Sequence, residues 1–120
     1  MKPITINYTV QERKKVEKKA YIEDPKNIYV KYMLDGRDIR ALYFELRERR
    51  GSGHRERYTH AIIIGKWGIE ICDVGGTPLH TAETALKYEN RCEIITEAEF
   101  DHYFEMEKEN LTLLNERMLK

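Results

Sequence analysis

Three glycine-bearing breaks divide residues 28 to 74 into four segments rich in β-branched and aromatic side chains. They are Asp35-Gly36, Gly51-Ser52-Gly53 and Gly65-Lys66-Trp67-Gly68. Breaks this close favour strands joined by hairpins, because a crossover between parallel neighbours takes a dozen or more residues. The segments run from Ile28 to Leu34, over residues 39 to 49, from Arg57 to Ile64 and from Ile69 to Val74. Together they predict an antiparallel meander. Gly75-Gly76-Thr77-Pro78 interrupts it.

The flanking segments are read by periodicity. Ile4, Ile6, Tyr8 and Val10 alternate with polar residues, as in a half-buried strand. Residues 11 to 20, QERKKVEKKA, hold many helix formers and few apolar positions, and Thr9-x-x-Glu12 has the form of a capping box. A short, solvent-facing helix is expected there, ended by Asp24-Pro25. A second short helix is expected from Thr81 to Tyr88 and a last strand from Cys92 to Ile95. Thr96-Glu97-Ala98-Glu99 is a capping box that opens a long helix. Phe100, Tyr103, Phe104, Leu111, Leu114 and Met118 form its apolar stripe, interrupted at Glu107. The first reading of that stripe is a helix laid on one face of the sheet; the second is a dimerisation helix.

The fold class that follows is α+β over residues 1 to 120 as a single domain. It comprises a four- to five-stranded, mostly antiparallel meander sheet, a long C-terminal helix packed on one face and a short N-terminal helix. A chain of 120 residues with 41% hydrophobic content buries enough surface for such a core. No run approaches the ~20 apolar residues of a membrane span, and Met1 to Val10 lack the apolar centre of a secretory signal. The expectation is a cytoplasmic protein with Cys72 and Cys92 as reduced thiols packed in the core.

The net charge of zero conceals an asymmetry. Residues 1 to 60 carry 15 Lys and Arg against 9 Asp and Glu, and residues 61 to 120 carry 6 against 12. Such a split suits a basic face that meets an anion, or two halves that neutralise each other in the fold or in a head-to-tail dimer.

The basic excess is densest at the second hairpin, where Arg47, Arg49, Arg50, His54, Arg55 and Arg57 cluster around the glycine break. Its meaning depends on register. With Gly51 to Gly53 as a three-residue loop, Leu46 faces Tyr58, Phe44 faces His60 and Leu42 faces Ile62. Arg47 then faces Arg57, Arg49 faces Arg55, and four guanidinium groups share one side. Guanidinium forks bind phosphate oxygens through charge-assisted, often bidentate bonds. With a two-residue loop, Arg49 faces Glu56 and Glu48 faces Arg57, and the tip is a self-paired edge. The first register makes the more continuous apolar face and is preferred on burial.

Other constellations are weaker. Trp67, with Lys66 beside it, and Arg37 occupy turns at the sheet end opposite the arginine tip and are candidates for partner contact. A two-residue Lys66-Trp67 loop pairs Ile64 with Ile69, Ile62 with Ile71 and His60 with Asp73. A carboxylate-oriented histidine is half of an acid–base arrangement, but no nucleophile is placed beside it, so a structural hydrogen bond is the preferred reading. No zinc-ligand spacing occurs, and no cofactor is expected.

These residues point to a small non-enzymatic binding module that contacts nucleic-acid phosphates through the arginine hairpin. The alternative is a protein–protein interaction module, an inhibitor or adaptor of a nucleic-acid-binding or nucleoprotein partner of phage or mobile-element type. In that alternative the acidic region Glu93 to Glu109 would mimic phosphates. A nucleotide hydrolase built on His60 and Asp73 is a remote third. No membrane partner is expected, and homodimerisation is consistent with the long helix.

Overall fold

In a computed structural model of the chain, the structure describes residues 2–10, 16–33, 41–51, 57–65, 68–88 and 91–119. The meander is present as β3 (Asn27–Met33), β4 (Ala41–Arg50), β5 (Arg57–Gly65) and β6 (Gly68–Gly75). It follows β1 (Ile4–Val10) and β2 (Val16–Ile22), and leads into α1 (Pro78–Tyr88), β7 (Cys92–Ile95) and α2 (Glu97–Met118). The main sheet has five strands in the order β6-β5-β4-β3-β7, antiparallel throughout. β7 therefore closes the sheet beside β3, its first strand, and not beside β6. The Asp35-Gly36 turn lies outside the described residues.

The N-terminal segment differs from expectation. Residues 16 to 22 form a strand, not the end of a short helix, and pair antiparallel with β1 as a separate two-stranded sheet. Residues 11 to 15 lie outside the described residues. The cause is burial: the ladder sets Ala20 opposite Ile6 and Ile22 opposite Ile4, and Ala20 and Ile22 are both buried. Tertiary packing of that alternating face outweighs the helix propensity of Lys and Glu, which is a weak preference. The charged Glu17, Lys18 and Lys19 stay exposed.

A core lies on each face of the main sheet. On one face Ile28, Val30, Leu46 and Ala61 pack with Ile22 from β2, Ala82 from α1, and the flanking Ile4, Ile6 and Leu79. On the other, Tyr29, Tyr43, Ile64 and Ile95 pack with Phe100 of α2, flanked by Tyr103 and Phe104. The long helix thus lies on one face as expected. The short helix sits mid-chain, starts at Pro78 and lies on the opposite face, together with the β1–β2 hairpin.

Local chemistry sets the element ends. Thr96 caps α2, its hydroxyl accepting from the Glu99 backbone N–H at 3.1 Å. At the end of the β5–β6 ladder Gly65 stands opposite Gly68. Gly68 has φ +119° and Gly76 has φ +89°, a region that favours glycine. The fully buried Thr59 hydroxyl donates to the Gly76 carbonyl at 2.9 Å, which ties the end of β6 to β5. Both cysteines are free: Cys92 is half-buried in the first core, but Cys72 is exposed on β6, contrary to the expectation that both are core residues.

Candidate functional site

The register of β4 and β5 decides what the arginine hairpin is. Phe44 faces Ile63, Leu46 faces Ala61, Arg47 faces His60, Arg49 faces Tyr58 and Arg50 faces Arg57. Neither register read from the sequence occurs. The described strands end at Arg50 and begin again at Arg57. His54 and Arg55 lie in residues 52–56, outside the described residues, as do Arg37, Lys66 and Trp67.

The reason is that β5 is buried from both sides. The three-residue-loop register makes only one apolar face continuous. With Ala61, Ile62, Ile63 and Ile64 in succession, β5 supplies Ala61 and Ile63 to the α1 side and Ile62 and Ile64 to the α2 side. The observed pairing satisfies both cores at once. Relative to the preferred register the shift is odd, so it moves side chains to the other face. The four described guanidinium groups consequently divide. Arg47 and Arg49 share the α2 face with Tyr58 and His60. Arg50 and Arg57 share the α1 face with Glu48.

Each face carries a carboxylate beside the arginines, Glu45 on one and Glu48 on the other. On the α2 face Glu45 is buried, and the Arg47 guanidinium lies 3.2 Å from its Oε1. Tyr29 hydrogen-bonds the same carboxylate and accepts a bond from Asn27 Nδ2 at 2.9 Å. Burial, and then the Glu45 charge, push the Tyr29 hydroxyl well above its ordinary range. On the α1 face Glu48 lies between Arg57 at 3.9 Å and Lys26 at 4.0 Å. Pairs this long and partly exposed contribute little to stability, but they neutralise charge locally.

Arg49 and Arg50 are both exposed, and neither has a carboxylate partner among the described residues. Arg50 also stands opposite Arg57 in the ladder, a like-charge pair that costs from some tenths to about 1 kcal/mol. Around Glu45 and Glu48 are five cations: Lys26, Arg47, Arg49, Arg50 and Arg57. The surplus cations lie at the outer end of the ribbon, which projects ~13 Å beyond Leu46 at ~3.3 Å per residue. Such an end can place guanidinium groups against an anion from both sides of the strand pair.

His60 and Asp73 are brought together as expected. The ladder pairs them, and Nδ1 of His60 lies 2.8 Å from Oδ1 of Asp73. Ile62 faces Ile71 and Ile64 faces Ile69, also as expected. The pair continues a polar row across four strands, Asn27, Arg47, His60 and Asp73, beside the part of the sheet that α2 covers. Thr59 and Cys72 point to the opposite face, so neither hydroxyl nor thiol stands beside the imidazole.

An apolar hollow of about 370 Å³ lies between the sheet and α1, against Leu42, Phe44, Thr81, Ala85 and Cys92. It presents no charged side chain and lies on a different part of the sheet from the arginine ribbon.

No family model, curated protein or solved structure matches the chain.

Proposed function

We propose that this chain is a non-enzymatic binding module whose arginine ribbon contacts the phosphates of a nucleic acid. The observation that carries this reading is the charge state of the ribbon end. Glu45 and Glu48 neutralise Arg47 and Arg57, whereas Arg49 and Arg50 remain exposed on opposite faces without a counter-charge among the described residues. An anion that reaches both faces, as a sugar–phosphate backbone does, relieves the Arg50–Arg57 opposition and meets Arg49 as well. Contacts of this kind set affinity and not sequence choice. His54 and Arg55, next to the glycine break, extend the same cationic segment in the chain. Lys66, Trp67 and Arg37 belong to the second contact region of the reading.

The test is the salt dependence of binding to a single- or double-stranded oligonucleotide of mixed sequence. Each neutralised phosphate contributes about −0.7 to −0.9 to the slope of log K against log salt. Replacing Arg49 and Arg50 together with Ala is expected to weaken binding and flatten that slope by about 1.4 to 1.8. Both side chains are exposed, so the fold is expected to be unaffected. Wild-type binding with an unchanged slope in the double variant refutes the assignment.

One observation favours the protein-interaction reading as a second. Leu111, Leu113, Leu114 and Met118 on the distal half of α2 are all exposed, and the acidic side chains Glu97, Glu99, Asp101 and Glu105 lie exposed along its proximal half. Absence of nucleic-acid binding at low salt leaves that reading in front.

A further inference from the structure

The stripe that docks α2 on the sheet does not stop where the sheet stops. Phe100, Phe104, Glu107, Leu111, Leu114 and Met118 recur at intervals of four and three and lie on one side of the helix. Phe100 is 2% exposed, whereas Leu111, Leu114 and Met118 are 37%, 53% and 74% exposed. The helix meets Tyr29 of β3 through Phe100 and Tyr43 of β4 through Tyr103, and it also contacts β5 and β6. It therefore crosses the strands toward the β6 edge. From residue 108 to residue 119 every side chain is exposed. At 1.5 Å per residue this distal half is about 16 Å long, the width of three strands.

Beneath the direction of that overhang is an open edge. β6 has eight residues and among the described residues pairs only with β5, and residues 70 to 75 are all exposed. Exposed edges of this length are ordinarily shielded by Lys, Pro, a bulge or a covering segment. GIEICDVG contains neither Lys nor Pro. Ile71, 66% exposed, points to the α2 face. The opposite edge, β7, is four residues long and touches β2.

We propose that the protein forms a two-fold dimer in which β6 pairs antiparallel with β6 of a second copy and each α2 overhang covers the seam. A second copy fits for a geometric reason. Directly opposed residues of an antiparallel ladder point to the same side, and a two-fold axis perpendicular to the sheet maps each face onto itself. Both α2 helices thus lie on one side of a continuous ten-stranded sheet and run antiparallel across the join. Pairing centred on Ile71 sets Ile71 against its own copy below the two stripes. It also opposes Glu70 with Cys72 and Asp73 with Ile69, so no carboxylate faces another directly. β6 and the overhang supply about 20 residues a side, at the lower bound of the roughly 20–30 of a stable interface. The proposal uses none of the hairpin arginines, so its outcome is separate from that of the nucleic-acid reading.

Sedimentation equilibrium over a dilution series tests it, read with amide hydrogen exchange. The wild type is expected to approach twice the 14.3 kDa chain mass, with the outward amides of β6 protected. The pair Leu111→Glu and Leu114→Glu, and separately Ile71→Lys, are expected to weaken the dimer at least about thirtyfold each, the loss of one interface hot spot. These positions are exposed in the single chain, so circular dichroism should show an unchanged fold. A wild type that is monomeric throughout the series, or a dimer that survives both variants, overturns the proposal. A dimer whose outward β6 amides exchange freely overturns the edge pairing.

Discussion

Phe100→Ala isolates the docking of α2 from everything else the helix does. Phe100 is the one buried residue among the described residues of α2, at 2% exposure. Its ring lies 5.3 Å from the ring of Tyr29, tilted by 44°, and 6.2 Å from that of Phe104. Truncating a buried Phe to Ala costs about 3–5 kcal/mol, the transfer of the ring plus the cavity left behind. A domain of this size has a total stability of roughly 6–18 kcal/mol, at about 0.05–0.15 kcal/mol per residue. The loss is a large fraction of that, and it falls at one point, so local release of α2 is expected to precede global unfolding. Leu113→Ala is the matched control. Leu113 is 57% exposed and lies on the opposite side of the helix from the stripe, so its truncation should stay within about 0.5 kcal/mol. Urea unfolding followed by far-ultraviolet circular dichroism, at one fixed protein concentration, compares the two. Hydrogen exchange of Phe104 and its neighbours detects release of the helix below the global midpoint. If Phe100→Ala costs no more than Leu113→Ala, α2 does not dock through this ring, and the account of the second core fails.

Three further expectations follow from the same interactions. Burial and Glu45 raise the Tyr29 hydroxyl above its ordinary value of 10.0, so the folded state holds the proton more tightly than the unfolded chain. That stability is fully present below pH 10 and is lost as the pH rises past it; urea midpoints on either side of pH 10 should show the fall, and Tyr29→Phe should make it shallower. Thr59→Val removes the donor to the Gly76 carbonyl at constant shape and should cost about 1 kcal/mol, whereas Thr59→Ser, which keeps the hydroxyl, should retain the bond. Amide exchange at Gly75 and Gly76 distinguishes the two variants. Asp73 is 62% exposed in its pair with His60, so His60→Ala should cost less than about 1 kcal/mol and leave the salt slope of oligonucleotide binding unchanged; a measured loss of catalytic turnover without loss of folding would favour the hydrolase reading.

Much of the architecture was legible in local patterns because local chemistry dictates it. The Thr96 N-cap, the strands of the meander and the pairing of His60 with Asp73 each depend on residues close in sequence, and each is found. The N-terminal strand was not legible, because the lysines and glutamates of residues 11 to 19 favour a helix and the deciding partners, Ile4 and Ile6, act only once β1 lies alongside. Cys72 failed for a related reason: Ile69, Ile71 and Val74 make its segment read as a buried strand, but that strand is at the sheet edge, where apolar sequence does not mean burial.

The arginine ribbon shows where that boundary falls. The sequence by itself determined that a cationic hairpin end exists, since five arginines around a glycine break admit few other fates. It did not determine which guanidinium groups act together, because that depends on register. Register is set where β5 is squeezed between two cores, one under α1 and one under α2, and neither core is visible along a single strand. The tertiary structure therefore decided that Arg47 and Arg57 meet Glu45 and Glu48, and that Arg49 and Arg50 carry their charge outward on opposite faces.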